Sequence, residues 1–550
     1  MPNYLAITLG PVYKTILQAR STREIWASSY IFSIVMREIV KASSGSGQLL
    51  SPLQLPDNAH RFGAGIYPDR AFWLLNNKDD YNKLQKVVET AFSQISDITK
   101  ISERDLSSYI RLYAVKLERE DNVNNSIILE LNKLLDILEL QEKITNPKTD
   151  LLAGLVTSIQ SLYKDGHQQL DKNRSVFIEY DCNSPLKRLP SLIELATADL
   201  KYKPTVSNTG YNQLVTEPIS REVCEMIKSG KNRVEYNAGE DQVQENIIQI
   251  LKKEYKKDFR FRHKYIAFIK ADGDYMGYTL GAIGNYPRKI IYFSELLSAF
   301  TGKAAELIVQ YGGLPIYAGG DDLLFTVPLV NSNEDTRNSA GQNIFELINK
   351  IDEKFPKTEL AALVPQPNPL PPDYIAKLPS LSYGISFSYF KYPLDETLQT
   401  SNKALYIAKD FPGKNAVAFK VRKHSGQTFN ACFSKQEAFK KFFTLLSWVW
   451  DFKDDAFLTS VMYKLAQLEP LVSDALINDR LEHFFKNQFN EKDHADKYNK
   501  YLKAVRGFAA QLFEENRNIF NDDQISSKET IQTLYACLRF VQFINQEDHE

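Results

Sequence analysis

Apolar positions recur at helical spacing from about Val12 to Ala42, through Ile16, Ile25, Tyr30 and Ile34, after a short apolar strand over Tyr4–Leu9. Gly10-Pro11 separates the two, and the interruptions Ser21-Thr22 and Ser28-Ser29 allow the helical stretch to be two helices. Ser43–Gly47 reads as a loop, and Arg61–Leu75 as strand, turn, strand about Pro68-Asp69. From Asp79 to Tyr163 the pattern is mainly helical, clearest over 127–138. Residues 180–245 have weak periodicity and many turn formers, which predict no definite element. A helix over Glu245–Lys257 then runs into a basic cluster: Lys252, Lys253, Lys256, Lys257, Arg260, Arg262 and Lys264. Such a cluster is either a solvated helix end or a phosphate-contacting patch.

The best-patterned stretch follows. Lys264–Ala271 is a strand ended by Asp272-Gly273-Asp274, and a helix spans about Ile290 to Gln310. Gly312-Gly313 stops the helix before two short strands, Leu314–Ala318 and Leu323–Val327, with Gly319-Gly320-Asp321-Asp322 between them as a hairpin. A further helix over about Ser339–Phe355 and a proline-rich loop (365–372) lead to an alternating strand, Leu381–Tyr389. A helix, Leu394–Lys409, and a strand, Ala416–Val421, complete the series. The order β-α-β-β-α-β is that of a ferredoxin-like unit, with one helix and strand appended. Beyond about Ser425 helix formers and aromatics dominate, as in Phe439–Trp450 and Asp474–Phe489. The first strand and the strand at 265 echo each other: both begin Tyr-x-Ala, and where the second has Asp272 the first has Pro11. The pattern therefore predicts an α+β chain with two copies of one fold, only one of them acidic at its strand end.

Length makes this organisation plausible. The 550 residues suffice for three or four domains at roughly 100–200 residues each. The expected boundaries are 1–180 for a first unit with a helical insertion, 181–260 for an intervening domain, 261–424 for the acidic unit and 425–550 for a helical domain. A net charge of −1 excludes a globally basic nucleic-acid binder but not a local basic groove. Apolar runs are too short to span a membrane, and no basic start followed by an apolar core marks a secretory signal. Cys182, Cys224, Cys432 and Cys537 form no CxxC pair, which argues against a disulfide framework and a zinc knuckle. The expectation is a reduced, cytoplasmic protein.

The chemistry gathers at the two acidic turns. In this topology the first and third strands lie side by side, so Asp272 meets Asp321 and Asp322 although 49 positions separate the first from the second. Carboxylates so crowded repel unless a cation lies among them, and hard oxygens favour Mg²⁺ or Mn²⁺. Two ions about 3.5–4 Å apart would clamp a triphosphate for in-line displacement. Gly319 and Gly320 would let backbone amides approach phosphate oxygens, and Lys409 and Lys414 would hold the β- and γ-phosphates. Each turn alone is an ordinary tight turn; the two on adjacent strands of one unit point to nucleotidyl transfer.

The segments Lys270-Ala-Asp-Gly-Asp-Tyr-Met-Gly277, Ala318-Gly-Gly-Asp-Asp-Leu323 and Lys409…Gly413-Lys-Asn415 resemble the large palm subunit of type III CRISPR effector complexes. Gly10-Pro-Val-Tyr…Ala19-Arg…Thr22-Arg-Glu-Ile-Trp-Ala-Ser-Ser-Tyr30 is similar to the first-palm signature of its Cmr-type (III-B) branch. The resemblance covers about residues 1–75 and 260–425. It implies two facing palms, an intervening domain and a helical C-terminal domain, held with guide RNA, target RNA and other Cmr-type subunits in a ribonucleoprotein. It implies a target-RNA-activated synthase of a second messenger from ATP, commonly cyclic oligoadenylate. Asp272, Asp321 and Asp322 would ligate the metals, with Asp274 assisting. Ser28, Ser29 and Arg23 are candidates for the acceptor side, against a helix-packing role for the same residues.

Two departures from the family pattern shape the expectations. The first palm starts at Tyr4 and none of the seven histidines is followed by Asp, so no HD nuclease activity is expected. The lone Cys182 and Cys224 predict no structural zinc. Some relatives lacking the HD domain are thought to join ATP to S-adenosylmethionine, and the sequence leaves the acceptor open. A catalytically silent RNA-binding scaffold, and a stand-alone cyclase of the diguanylate type with its similar hairpin, are the competing readings.

Overall fold

The computed structural model describes residues 2–20, 22–54, 65–77, 79–99, 102–119, 126–140, 192–202, 248–249, 251–252, 255–331, 338–364, 377–449, 455–489 and 496–548. Cys182, Cys224, most of the 181–260 region and part of the helix expected at Glu245–Lys257 lie outside them.

Two sheets organise the described chain. The first has strands β1 (Asn3–Gly10), β2 (Gln48–Ser51), β3 (Arg70–Leu75) and β4 (Arg111–Glu118) in the order β2-β3-β1-β4, all antiparallel. The stretch expected to be one or two helices is two, Val12–Ile16 and Thr22–Ala42. Strand β2 follows directly on the expected loop Ser43–Gly47, where no element was predicted, and β4 departs from the expected helix. β2 is four residues long, too short to show a period. β4 is an edge strand whose lower half alternates between partly buried and exposed, with charges at Lys116 and Glu118, so its apolar signal is weak.

The second sheet contains β5 (Tyr265–Asp274), β6 (Leu314–Gly319), β7 (Asp322–Val327), β8 (Ser380–Tyr389), β9 (Ala416–Arg422) and β10 (Thr428–Ser434), in the order β10-β9-β8-β5-β7-β6. Its first four strands repeat the spatial order of the first sheet. The helix Leu394–Asp410 crosses over so that β9 pairs parallel to β8. β10 then pairs antiparallel with β9, which places residues 428–434 in the same sheet. The sequence reading also missed the helix Met276–Ile283, whose glycines and short length hide its periodicity.

Strand alternation sorts the core. Ala267, Ile269 and Ala271 join one cluster with Phe345, Phe419 and the C-terminal helices. Ile266 and Phe268 join another with Trp26, Tyr30 and Leu398. The last helix, Asp523–Asn545, is capped by Asp522, which accepts from the amides of Gln524 and Ile525 at 2.8 and 2.9 Å. It packs Phe540 against Phe387 at 4.6 Å and Phe543 against Tyr265 at 4.7 Å between ring centroids. One face of the second sheet therefore rests on a helical bundle and the other turns toward the first half of the chain. Gly65 stitches the halves together: its carbonyl accepts from the Ala318 amide at 2.9 Å, beside a bridge to Tyr317 at the sheet edge.

Candidate active site

Period two fixes which residues share a face. Lys270, Asp272 and Asp274 continue the face of Ile266 and Phe268, and Asp322 continues that of Leu324 on β7. The last paired residues of β5 and β7 are Ala271 and Leu323. Asp272 and Asp322 extend that ladder by one step, which puts their Cα atoms about 5 Å apart. Between β6 and β7 the hairpin closes through Gly320 and Asp321, with Gly319 opposite Asp322. Gly320 has φ +75°, the left-handed region that a tight hairpin needs and glycine supplies.

The two acidic turns touch. The Asp321 carboxylate lies over Gly273 and accepts from its amide. Burial, and then the charge of Asp272, push the Asp321 carboxyl up to about 6. Burial also pushes Asp322 up to about 7; Lys270 opposes the shift, and Asp272, Asp321 and Asp69 add to it. Asp322 Oδ1 is buried with no hydrogen-bond partner. Three carboxylates thus gather at one strand end with their negative charge under-compensated.

Lys409 supplies the local positive charge. Its Nζ stands 2.8 Å from Asp272 Oδ2 and 3.2 Å from Asp274 Oδ1, and donates to the Gly273 carbonyl at 2.6 Å. Asp274, expected to assist the three ligands, has a different position from Asp272. It is fully buried, and its Oδ2 accepts from Ser380 Oγ at 2.7 Å, Ser382 Oγ at 2.8 Å and the Asn415 amide at 3.0 Å. Through these bonds it anchors β8 and the turn after the helix Leu394–Asp410. Lys414 and Asn415 in that turn have φ of 56° and 48°, and Lys414 Nζ lies 5.0 Å from the Tyr275 ring, not against the carboxylates. Gly319 is needed for Tyr317: a Cβ there would meet the phenol oxygen at 2.2 Å, so that space is filled by protein.

A cavity of about 350 Å³ opens between the two sheets. Asp322, Lys270 and Leu398 line it from the second half, and Ser29, Asp69 and Arg111 from the first. Ser29 Oγ is buried without a hydrogen-bond partner. Ser28, by contrast, donates to the Ile25 carbonyl within its own helix at 2.7 Å, the helix-packing role. The Arg23 side chain lies outside the described residues. Neither Lys270 nor Asp69, though both stand in segments noted in the sequence, was expected to face the site. The alternation that singled out Asp272 marks Lys270 two positions earlier, whereas nothing in one sequence marks Asp69.

The described residues fit a divalent cation in part. The orphaned Asp322 oxygen and the charge crowding call for one. No three His, Cys, Asp or Glu side chains among the described residues already form a closed metal shell, and Lys409 holds Asp272. The basic cluster is largely turned inward: Arg262 is buried on Asp199 at 3.3 Å, and Lys252 and Lys264 each bind Asp548 at 2.8 Å. These three residues fasten the C-terminal tail and do not form a phosphate-facing patch. No described helix is long and apolar enough to cross a membrane.

Residues 265–418 match the model of the second palm domain of Cas10/Cmr2, and residues 4–100 match the N-terminal model of the CRISPR-associated protein Cmr2. The CRISPR system Cmr subunit Cmr2 of Pyrococcus furiosus is 27% identical over 230 residues, covering 37% of this chain and 23% of that protein. The match thus spans about a quarter of the curated relative's length. Three solved structures share the fold. A type III-B Cmr-beta apo structure has a TM-score of 0.50 at 12% identity, over 98% of this chain and 81% of the other. A Csm1-Csm4 subcomplex from a type III-A interference complex has 0.51 at 12%, over 99% and 70%. A Cmr-beta structure bound to cognate target RNA, also at 0.50 and 12%, covers 98% of this chain and 83% of that one. Residues 4–100 and 265–418 thus each match a domain model of the Cas10/Cmr2 family of type III CRISPR subunits.

Proposed function

We propose that this chain is a nucleotidyltransferase that uses ATP as donor inside a target-RNA-activated type III-B ribonucleoprotein in the cytoplasm. The observation that carries the reading is the meeting of the two acidic turns, Asp321 over Gly273 and Asp322 next to Asp272, with Asp322 lining a cavity shared by both halves. In this reading the two sheets are two ferredoxin-like palms, with the second extending through Ser434, an intervening domain before it and a helical domain after it.

An acceptor hydroxyl lodged against the first half attacks the α-phosphorus of ATP, and the bond to pyrophosphate breaks. Asp272, Asp321 and Asp322 would hold two divalent cations. Bound there, Mg²⁺ or Mn²⁺ would neutralise the triphosphate and the departing pyrophosphate. Gly320 leaves the hairpin backbone open to the donor phosphates, and Lys409 is the cation nearest to them. Ser29, with its unpartnered hydroxyl, and Lys270, between Asp322 and the Tyr13 ring, position the acceptor. Cyclic oligoadenylate is the product when the acceptor is a second ATP. Asp69 and Glu139 on the acceptor wall favour a second reading, in which the acceptor is the cationic S-adenosylmethionine.

The test is the assembled complex with labelled ATP, Mg²⁺ and target RNA, with and without S-adenosylmethionine, its products read by mass spectrometry. Combined Asp321→Ala and Asp322→Ala should remove all product while target RNA still binds. Unchanged product would refute the assignment, and GTP turnover by the isolated chain without RNA would favour a stand-alone cyclase.

A further inference from the structure

Lys409 sits where a cation beside Asp272 belongs. Its ammonium touches Asp272 Oδ2, Asp274 Oδ1 and the Gly273 carbonyl at once. The root of this side chain is fixed, because its helix presses on β8: a Cβ on Gly384 would lie 2.1 Å from the Leu405 nitrogen. The movable part is the four-carbon stem, which carries a compact charge on free rotors. Asp274 keeps three donors on its other oxygen when the lysine leaves. Asp272 has the more exposed side chain, at 43%, and no other salt-bridge partner is seen for it among the described residues.

A dication approaching Asp272 meets a positive charge already seated on the carboxylate. Close charges inside a partly desolvated site are weakly screened, so the two cations exclude each other. A triphosphate changes the balance, since its oxygens are a denser acceptor for an ammonium than one carboxylate. We propose that Lys409 is a resident counter-ion that makes divalent-cation binding at Asp272 conditional on a bound nucleoside triphosphate. The inference rests on the nucleotidyl-transfer reading and adds an order to it: the ammonium leaves Asp272 for the triphosphate, and only then is the carboxylate open to a metal ion.

Electron paramagnetic resonance of Mn²⁺ tests this on the full chain, because free and bound ions are counted directly without turnover. The wild-type chain should bind Mn²⁺ weakly alone and tightly with a non-hydrolysable ATP analogue. Lys409→Met, which keeps the stem and removes the charge, should bind Mn²⁺ without nucleotide about tenfold more tightly than wild type. Lys409→Arg should stay at the wild-type level. If Lys409→Met binds Mn²⁺ no more tightly, or Lys409→Arg gains as much, the counter-ion role is overturned while the nucleotidyl-transfer reading stands. If the wild-type chain with analogue binds no Mn²⁺, or Asp322→Asn leaves that binding intact, the reading itself fails and takes the inference with it. Thermal melts of each variant separate loss of charge from loss of fold.

Discussion

The Asp321 carboxylate rests on the backbone of Gly273, so closely that a Cβ built on the glycine would stand 2.4 Å from Asp321 Oδ2 and 2.8 Å from its Cβ. One acidic turn is therefore seated on the other, and the glycine is what permits it. Gly273→Ala should move the carboxylate, lower product formation by about 10²-fold and destabilise the chain by about 1–3 kcal/mol. Initial rates and urea unfolding of the same preparation check both effects. Wild-type rates in a folded Gly273→Ala chain would show that the seat is dispensable.

Asp274 should behave as an anchor. It is fully buried and accepts from three neutral donors on one oxygen. Asp274→Ala should cost about 3 kcal/mol, since it leaves the Ser380 and Ser382 hydroxyls and the Asn415 amide without their acceptor, whereas Ser382→Ala should cost about 1 kcal/mol. Denaturant midpoints measure both, and equal small losses would remove the anchor.

Asp69 gives stability a pH dependence of defined sign. Burial pushes its carboxyl up to about 6, against the pull of Arg70 and with the push of Glu139. The folded chain thus holds this proton more tightly than the unfolded chain does. Its contribution is fully present below the ordinary carboxylate range and is lost as pH rises toward 6. Asp69→Asn removes the penalty and should be more stable than wild type by about 2 kcal/mol near pH 8, with the gap closing near pH 4. Urea midpoints at the two pH values decide it, and a constant gap would contradict the assignment.

The C-terminal tail carries the opposite sign. Hydrogen bonds from Lys252 and Lys264 hold the Asp548 carboxyl below its usual range despite its partial burial. Its contribution is present at neutral pH and lost as pH falls through the folded value. Asp548→Asn should cost about 1 kcal/mol at neutral pH and nothing near pH 2. A loss of the same size at both pH values would place the effect elsewhere.

The second sheet was legible because its strands are strongly apolar and its turns carry glycine and aspartate. Those features also revealed Asp272, Asp321 and Asp322 before their contacts were known. Three things were not legible. The short β2 and the edge strand β4 have no full apolar face to report. Asp274 and Asp272 are one residue type two positions apart on one strand. Only their exposure and partners distinguish an anchor from a ligand. The basic residues from Lys252 to Lys264 read equally well as surface or pair, because their partner Asp548 lies 284 positions beyond Lys264.

The cavity walls come from two sheets of the same strand order, yet only one wall carries the acidic turns. Under the proposed nucleotidyl transfer, donor chemistry and acceptor choice are therefore encoded in separate stretches of the gene. In that reading, mutations around Ser29, Asp69 and Arg111 would retune which molecule receives the nucleotide while the acidic strands stay untouched. A lineage built on such a plan would change its product without rebuilding its donor site.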